Sequence, residues 1–335
     1  MLKTLVETNS LIIFQPYFPI TIFQKHYSPP YISFPHLESV SNISLQPVKS
    51  IQTRFADYSQ LIKMRLSFLV VFSASMAYLW ATQRHVEPLT IWLLSIGGFF
   101  VTGAANTFNQ IIERNSDKLM KRTLTRPLPG ERMKVSEALI FGMILAITGA
   151  FLLFKINMLC GFLGVAALLI YAGIYTPLKK ITPLTIFPGA VAGSLPVVIG
   201  CAAATGEITK GAVILFAIQF IWQFPHTWSI AWLLDDEYNK AGIRMLPNSG
   251  GRNKASAIII LLSTFLIIPA GLLLYMYQSA GVNVTWLLVL AGVAFSVFAY
   301  KLYTQRTHKS ALQLMFGSFA YLPFVLIVLV LAKFL

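Results

Sequence analysis

Long apolar stretches alternate with short polar ones along most of this chain. Runs long enough to cross a bilayer as helices recur at about 61–81, 89–111, 135–155, 157–176, 184–204, 210–233, 255–277, 284–304 and 311–333. The pattern predicts an all-α polytopic membrane protein of nine transmembrane helices. Gly97, Gly98, Pro188, Pro196, Pro225 and Pro269 fall inside these runs. They do not veto the assignment, because neighbouring helices can satisfy the backbone groups such residues free.

Composition agrees with the pattern. The 335 residues are 56% hydrophobic and 11% charged, and the mean hydropathy is +0.69, which excludes an ordinary soluble domain. With nine helices, all but four (Arg84, Lys155, Lys210 and Lys333) of the 26 lysines and arginines fall on the side of the N-terminal segment and the loops near 112–134, 177–183, 234–254 and 305–310. The positive-inside rule makes that side cytoplasmic. The net charge of +14 is therefore a topology signal, and no soluble basic domain is present to bind nucleic acid.

Residues 1–50 break the pattern, being rich in proline and aromatic residues with no arginine before Arg54. They match neither an Arg-rich transit peptide nor a secretory signal. Residues 1–55 are read as a poorly ordered tail preceding a nine-helix domain over 56–335. Cys160 and Cys201 both lie within spans and read as small packing residues.

Five of the twelve acidic residues gather at two places, in Asn109-x-x-x-Glu113-x-x-x-Asp117 and in Asp235-Asp236-Glu237. Each cluster closes an apolar run on the cytoplasmic side, and carboxylates are costly there unless they have partners. Residues four apart on a helix share a face, so Asn109, Glu113 and Asp117 form one oxygen-bearing stripe, with Asn106 nearly a turn earlier. Such a stripe suits a hard cation such as Mg²⁺, which is commonly shared with substrate phosphates. The basic run after it (Lys118, Lys121, Arg122, Arg126) suits the remaining phosphate oxygens. Ordinary juxtamembrane sorting accounts for these basic residues but not for the carboxylates. In the second cluster Asp235 and Asn239 share a face if the helix continues, whereas Asp236 and Glu237 point elsewhere. Two metal sites, or one metal and one structural pair, both remain open.

Upstream of that cluster runs Trp222-Gln223-Phe224-Pro225-His226-Thr227-Trp228, and His226 is the sole histidine within a span. Three roles stay open for it: a bond to a neighbouring helix, an axial ligand to a haem iron, or a group that handles protons. The loop Tyr175-Thr176-Pro177-Leu178-Lys179-Lys180 lies on the same side and adds two lysines, while Gly189-x-x-x-Gly193 indicates close helix packing.

These motifs resemble the UbiA-type intramembrane prenyltransferases, which carry an Asn-x-x-x-Asp-x-x-x-Asp motif after the second helix and a second acidic motif after the sixth. Within them, four stretches look like the haem-farnesylating branch, the protoheme IX farnesyltransferases. These are Trp222–His226, Arg122-Thr123-x-x-Arg126-Pro127-Leu128, Tyr175–Lys180 and Ala241-Gly242-Ile243-x-Met245-Leu246-Pro247, in a similarity covering about residues 55–335. Two departures stand out. Glu113 occupies an aspartate position, and Asn239 and Ala241 leave the second motif without a further carboxylate.

The resemblance implies helices around a central cavity, with Mg²⁺ as cofactor and farnesyl diphosphate and haem b as substrates. Asn109, Glu113 and Asp117 would hold one metal ion, and Asp235, Asp236 or Glu237 would help hold a second. Lys121, Arg122, Arg126, Lys179, Lys180 and Arg244 would contact diphosphate. Trp222, Gln223 and His226 would face the haem acceptor. The setting implied is the inner or plasma membrane, and the product suggests a downstream haem-modifying membrane enzyme as a partner. A related enzyme prenylating an aromatic quinone precursor is the nearest rival, though it gives no need for His226. A cation-coupled transporter fits less well, since its site belongs near the bilayer midplane.

Overall fold

The computed structural model describes residues 51–82, 85–248, 250–277 and 281–334. The expected N-terminal tail over 1–50 lies outside the described residues. Residues 52–335 form one compact unit.

Its helices in chain order are α1 (Ile51–Leu61), α2 (Met64–Ala81), α3 (Pro88–Asp117), α4 (Val135–Ile156) and α5 (Met158–Leu169), followed by a π-turn (Ile170–Tyr175) that runs into the short α6 (Thr176–Leu178). After them come α7 (Ile186–Thr205), α8 (Lys210–Lys240), α9 (Lys254–Phe265), α10 (Ile267–Met276), α11 (Val282–Gln305) and α12 (His308–Phe334). Local signals set several of the ends. Pro88 opens α3, and Asn157, Thr209 and Asn253 accept backbone N–H bonds at the starts of α5, α8 and α9. Gly206, at φ 78°, closes α7 in the left-handed conformation that glycine adopts freely.

Eight stretches among the described residues are long and apolar enough to cross a membrane, one fewer than expected. The difference is α8. At 31 residues it is about 46 Å long, ample for a bilayer, but Gln219, Gln223, His226 and its acidic end dilute its apolar character. The amides and the histidine turn inward: Gln219 is buried, and Gln223 and His226 line a cavity. The seventh expected span is also two helices, α9 and α10, interrupted at Leu266 before Pro269.

The helices close a ring. α2 packs on α3, α3 on α4 and α5, α5 on α7, α7 on α8, and α8 on α9, α10 and α12. α11 joins α9 and α10 to α12, and α12 returns to α2. Lys333 Nζ fastens the closure by donating to Leu79 O and Trp80 O at the end of α2. Outward-facing Trp92, Ile140, Ile144, Ile147, Phe151, Leu290 and Leu331 are exposed, forming the apolar belt that lipid would cover.

Close helix contact depends on small residues. A Cβ on Gly200 of α7 would sit 2.1 Å from Ala74 O of α2. An alanine in a helix is normally favoured over glycine by about 1 kcal/mol, but here the obstacle is backbone and the sign reverses. Gly200→Ala should lower the unfolding temperature in detergent. Gly271→Ala, where nothing lies within 4 Å, should leave it unchanged or raise it.

Candidate functional site

The first acidic motif lies on the last turns of α3, which continues to Asp117 well past the apolar run. Asn109, Glu113 and Asp117 are buried at 1%, 7% and 1% exposure, so none is a solvated surface charge. Each meets a cation from elsewhere in the chain. Lys63 Nζ donates to Asn109 Oδ1 at 3.4 Å, Lys179 Nζ lies 2.9 Å from Glu113 Oε1, and Arg126 Nη1 lies 2.7 Å from Asp117 Oδ2. Asn109 Nδ2 donates to Thr176 Oγ1, tying α3 to the segment that carries Lys179.

Two local distortions deliver these cations. Lys63 sits between α1 and α2 at φ 49°, a left-handed backbone that costs a non-glycine residue about 1–2 kcal/mol. α3 holds the turn in place. Gln110 Nε2 donates to Leu61 O at 2.6 Å and to Gln60 O, and Asn106 Nδ2 donates to Ile62 O. The second distortion is the π-turn at Ile170–Tyr175, which re-aims the chain so that Tyr171 and Tyr175 line the cavity just before Lys179. Lys179 Nζ also lies 4.4 Å from the Tyr175 ring centroid.

The electrostatics show a site short of anions. Burial, then the charges of Arg126 and Lys179, push the Lys63 ammonium down to about 7, with Glu113 and Asp117 offsetting part of the effect. Burial opposes the charge on Lys179 as well, but the Glu113 carboxylate holds its pKa above the ordinary lysine value. Asp117 Oδ1 is buried with no hydrogen-bond partner. The site thus offers three clustered cations to an incoming polyanion, and a bare carboxylate oxygen to a hard cation.

No group of three His, Cys, Asp or Glu among the described residues converges into a metal cage. Asn109, Glu113 and Asp117 nevertheless fit Mg²⁺, which is usually held by one or two carboxylates together with substrate phosphates.

The second motif is arranged differently. The helix does continue, through Lys240, but Arg252 turns to its acids. Arg252 Nη1 lies 3.1 Å from the exposed Asp236 Oδ2, Arg252 Nε lies 3.9 Å from Asp235 Oδ2, and the same Nε donates to Trp232 O. Glu237 Oε2 is buried without a hydrogen-bond partner. Eleven residues after His226, Glu237 lies within about 20° of the same stripe of α8. Of the expected diphosphate ligands, the structure brings Arg126 and Lys179 to the first motif and leaves Arg122 half-buried nearby in sequence. Lys121, Lys180 and Arg244 are exposed.

Below the first motif lies a cavity of about 260 Å³, lined mainly by apolar residues of α2, α3, α5, α7, α8 and α12. None of the charged side chains lines it, but Asn106, one turn before Asn109, and Tyr175, whose ring lies under Lys179, do, so the cavity abuts the charged cluster. Its polar groups include Gln219, Gln223 and His226 on one stripe of α8. Gln219 Nε2 donates to Gly193 O, while its Oε1 is buried with no hydrogen-bond partner. The Gly189-x-x-x-Gly193 motif acts here by making room, since added Cβ atoms would meet Tyr175 at 2.7 Å and Gln223 at 2.4 Å. Cys160 and Cys201 are free and buried, away from this lining.

Lys63, Gln219 and Arg252 were not expected from sequence. Lys63 reads as one more juxtamembrane charge, Gln219 is a single amide in an apolar run, and Arg252 follows its acids by sixteen residues across a loop. None of these positions carries a local pattern that marks it.

Comparison with known proteins agrees with this geometry. Residues 70–322 match the UbiA prenyltransferase family. A protoheme IX farnesyltransferase of Cytophaga hutchinsonii is 45% identical over 282 residues, spanning 84% of this chain and 99% of that protein. Among solved structures, one from a study of digeranylgeranylglyceryl phosphate synthase in membranes superposes with a TM-score of 0.70 at 20% identity, covering 84% of this chain and 98% of that one. A UbiA homologue from Archaeoglobus fulgidus bound to GPP and Mg²⁺ gives 0.63 at 13% identity, covering 82% and 99%.

Breaking one partner of a buried ion pair strands the other. Glu113→Gln should therefore lower the unfolding free energy of the ligand-free protein by about 3–5 kcal/mol. Adding Lys179→Met should recover most of that loss, as read by denaturant unfolding in detergent. An unchanged Glu113→Gln protein would mean that water already solvates the pair.

Proposed function

This chain belongs to the UbiA prenyltransferase family, and we propose that it transfers the farnesyl group of farnesyl diphosphate to a vinyl group of haem b, giving haem O. The observation that carries the reading is a buried cation cluster that abuts, through Asn106 and Tyr175, an apolar cavity whose lining includes His226. A prenyl diphosphate has the same layout, a polyanion joined to a long hydrocarbon. The relative from Cytophaga hutchinsonii, aligned along nearly its whole length, supports the haem acceptor. The Archaeoglobus fulgidus homologue supports a prenyl diphosphate and Mg²⁺.

In this reading Lys63, Lys179 and Arg126 take the diphosphate oxygens. Asn109, Glu113 and Asp117 hold the metal, with Glu237 the member of the second motif on the cavity stripe. Arg122 stands close enough in sequence to join the cations, and the exposed Lys121, Lys180 and Arg244 draw the polyanion in from solvent. Mg²⁺, when bound, would neutralise charge on the leaving diphosphate. The allylic C–O bond ionises and diphosphate leaves, and the terminal vinyl carbon then adds to the allylic cation to form the new C–C bond. Water then supplies the hydroxyl, and one proton is released. The apolar wall keeps water from the allylic cation until the acceptor has reacted. Trp222, Gln223 and His226 face the acceptor, while exposed Leu66 and Leu69 at the cavity margin let long substrates extend into lipid.

The basic loops support a cell-membrane setting with the site and the N-terminus on the cytoplasmic side. The product would pass to a haem-modifying membrane enzyme.

Purified protein supplied with haem b, farnesyl diphosphate and Mg²⁺ should yield a farnesylated, hydrated haem by mass. Chelation should stop the reaction, and Asp117→Ala should abolish it. Lys63→Ala should lower kcat/KM about 10- to 100-fold, the loss of one charged hydrogen bond. Unmodified haem alongside a prenylated aromatic acceptor would overturn the haem assignment.

A further inference from the structure

The imidazole of His226 is held more tightly than packing alone requires. Its Nδ1 lies 2.8 Å from Ser318 Oγ, across the α8–α12 contact. Ser318 Oγ donates its own hydrogen to Met315 O at 2.6 Å. A hydroxyl carries a single hydrogen, so toward His226 it can only accept. The proton of the neutral imidazole therefore sits on Nδ1, and Nε2 keeps its lone pair. No hydrogen bond among the described residues engages Nε2.

Aromatic contacts fix the plane of the ring. His226 stacks on Trp222 with centroids 4.5 Å apart and planes within 12°, and it meets the edge of Phe319 at 5.0 Å. Trp222 is pinned in turn, donating Nε1–H to Ser318 O at 2.9 Å. Ser318 thus restrains the histidine through its hydroxyl and the tryptophan through its carbonyl. Among the polar side chains lining the cavity, which include Tyr171 and Tyr175 as well as His226, the imidazole is the one that ligates iron without first losing a proton. A metal-binding histidine characteristically donates its other N–H to an oxygen acceptor.

Resting on the reading of this cavity as the acceptor site, we infer that Ser318 is a positioning residue that sets His226 to present Nε2 to the iron of the haem substrate. The acceptor is then anchored through its metal at the His226 wall of the cavity. Ser318 touches neither substrate.

The test uses the full chain in lipid nanodiscs, titrated with haem b in the absence of prenyl diphosphate and followed by absorption and resonance Raman spectroscopy. Wild type should show a histidine-ligated haem. His226→Ala should lose that spectrum, and added imidazole should restore it in part. Ser318→Ala leaves the Trp222 bond intact, because that bond uses the backbone. It should weaken haem binding about 10- to 100-fold and shift the iron–histidine stretch, while the unfolding temperature stays near wild type. Ser318→Thr, which keeps the hydroxyl, should restore both haem readouts.

An unchanged haem spectrum in His226→Ala would overturn the inference. So would an unchanged affinity and stretch in Ser318→Ala. If wild type still farnesylated haem b in those cases, the proposed activity would stand and only the ligation would fall. If wild type bound no haem and prenylated an aromatic acceptor, both would fall together.

Discussion

Three side chains on one stripe of α3 are buried beside three cations from other parts of the chain, and much of the rest of the architecture serves that meeting. Glu113 with Lys179 and Asp117 with Arg126 are ion pairs at the end of a membrane helix. A buried charge is tolerable only when it is matched. Matching them takes a left-handed turn at Lys63 clamped by Gln110 and Asn106, a π-turn after α5, and the Arg126 loop folded back onto the end of α3. The pairing is also incomplete, with Asp117 Oδ1 unpartnered and Lys63 pushed toward neutrality. The ligand-free site is stable enough to fold yet has unmet capacity for both a cation and an anion.

The same stripe links the charged end to the apolar interior. Asn106, one turn before Asn109, lines the cavity, and Tyr175 lies under Lys179 as part of its wall. Glycine permits the close packing. Gly189 and Gly193 let Tyr175 of the π-turn and Gln223 of α8 lie close against α7. A substrate with a charged head and an apolar tail is accommodated by geometry that follows from helix periodicity and a few small residues.

How much of this the sequence reveals follows from the range of each interaction. The i, i+4 spacing of Asn109, Glu113 and Asp117 is local, and helix periodicity alone puts them on one face. The spans are legible for the same reason, and the one that departs, α8, does so because its amides, histidine and acidic end dilute its apolar character. Pairings across the bundle are different in kind. Lys63 meets a residue 46 positions away, Lys179 one 66 away, and Ser318 one 92 away, and nothing in the local pattern selects these partners. The second motif shows the limit most clearly. Three adjacent acids look equivalent in sequence, but Arg252 turns to Asp235 and Asp236, while Glu237 keeps a buried, bare oxygen.

If the carboxylates and cations of the first motif hold one another in the ligand-free state, a metal ion and a diphosphate should each free the partner that the other needs. Their binding should then be coupled, and linkage makes the coupling reciprocal. The most direct test is a titration of Mn²⁺, followed by its EPR signal, with and without a non-reactive farnesyl thiodiphosphate, and the converse titration of the analogue with and without metal. The account predicts that each ligand raises the affinity of the other by about tenfold or more, and that Glu113→Gln reduces this coupling. Equal affinities in the presence and absence of the second ligand would contradict it.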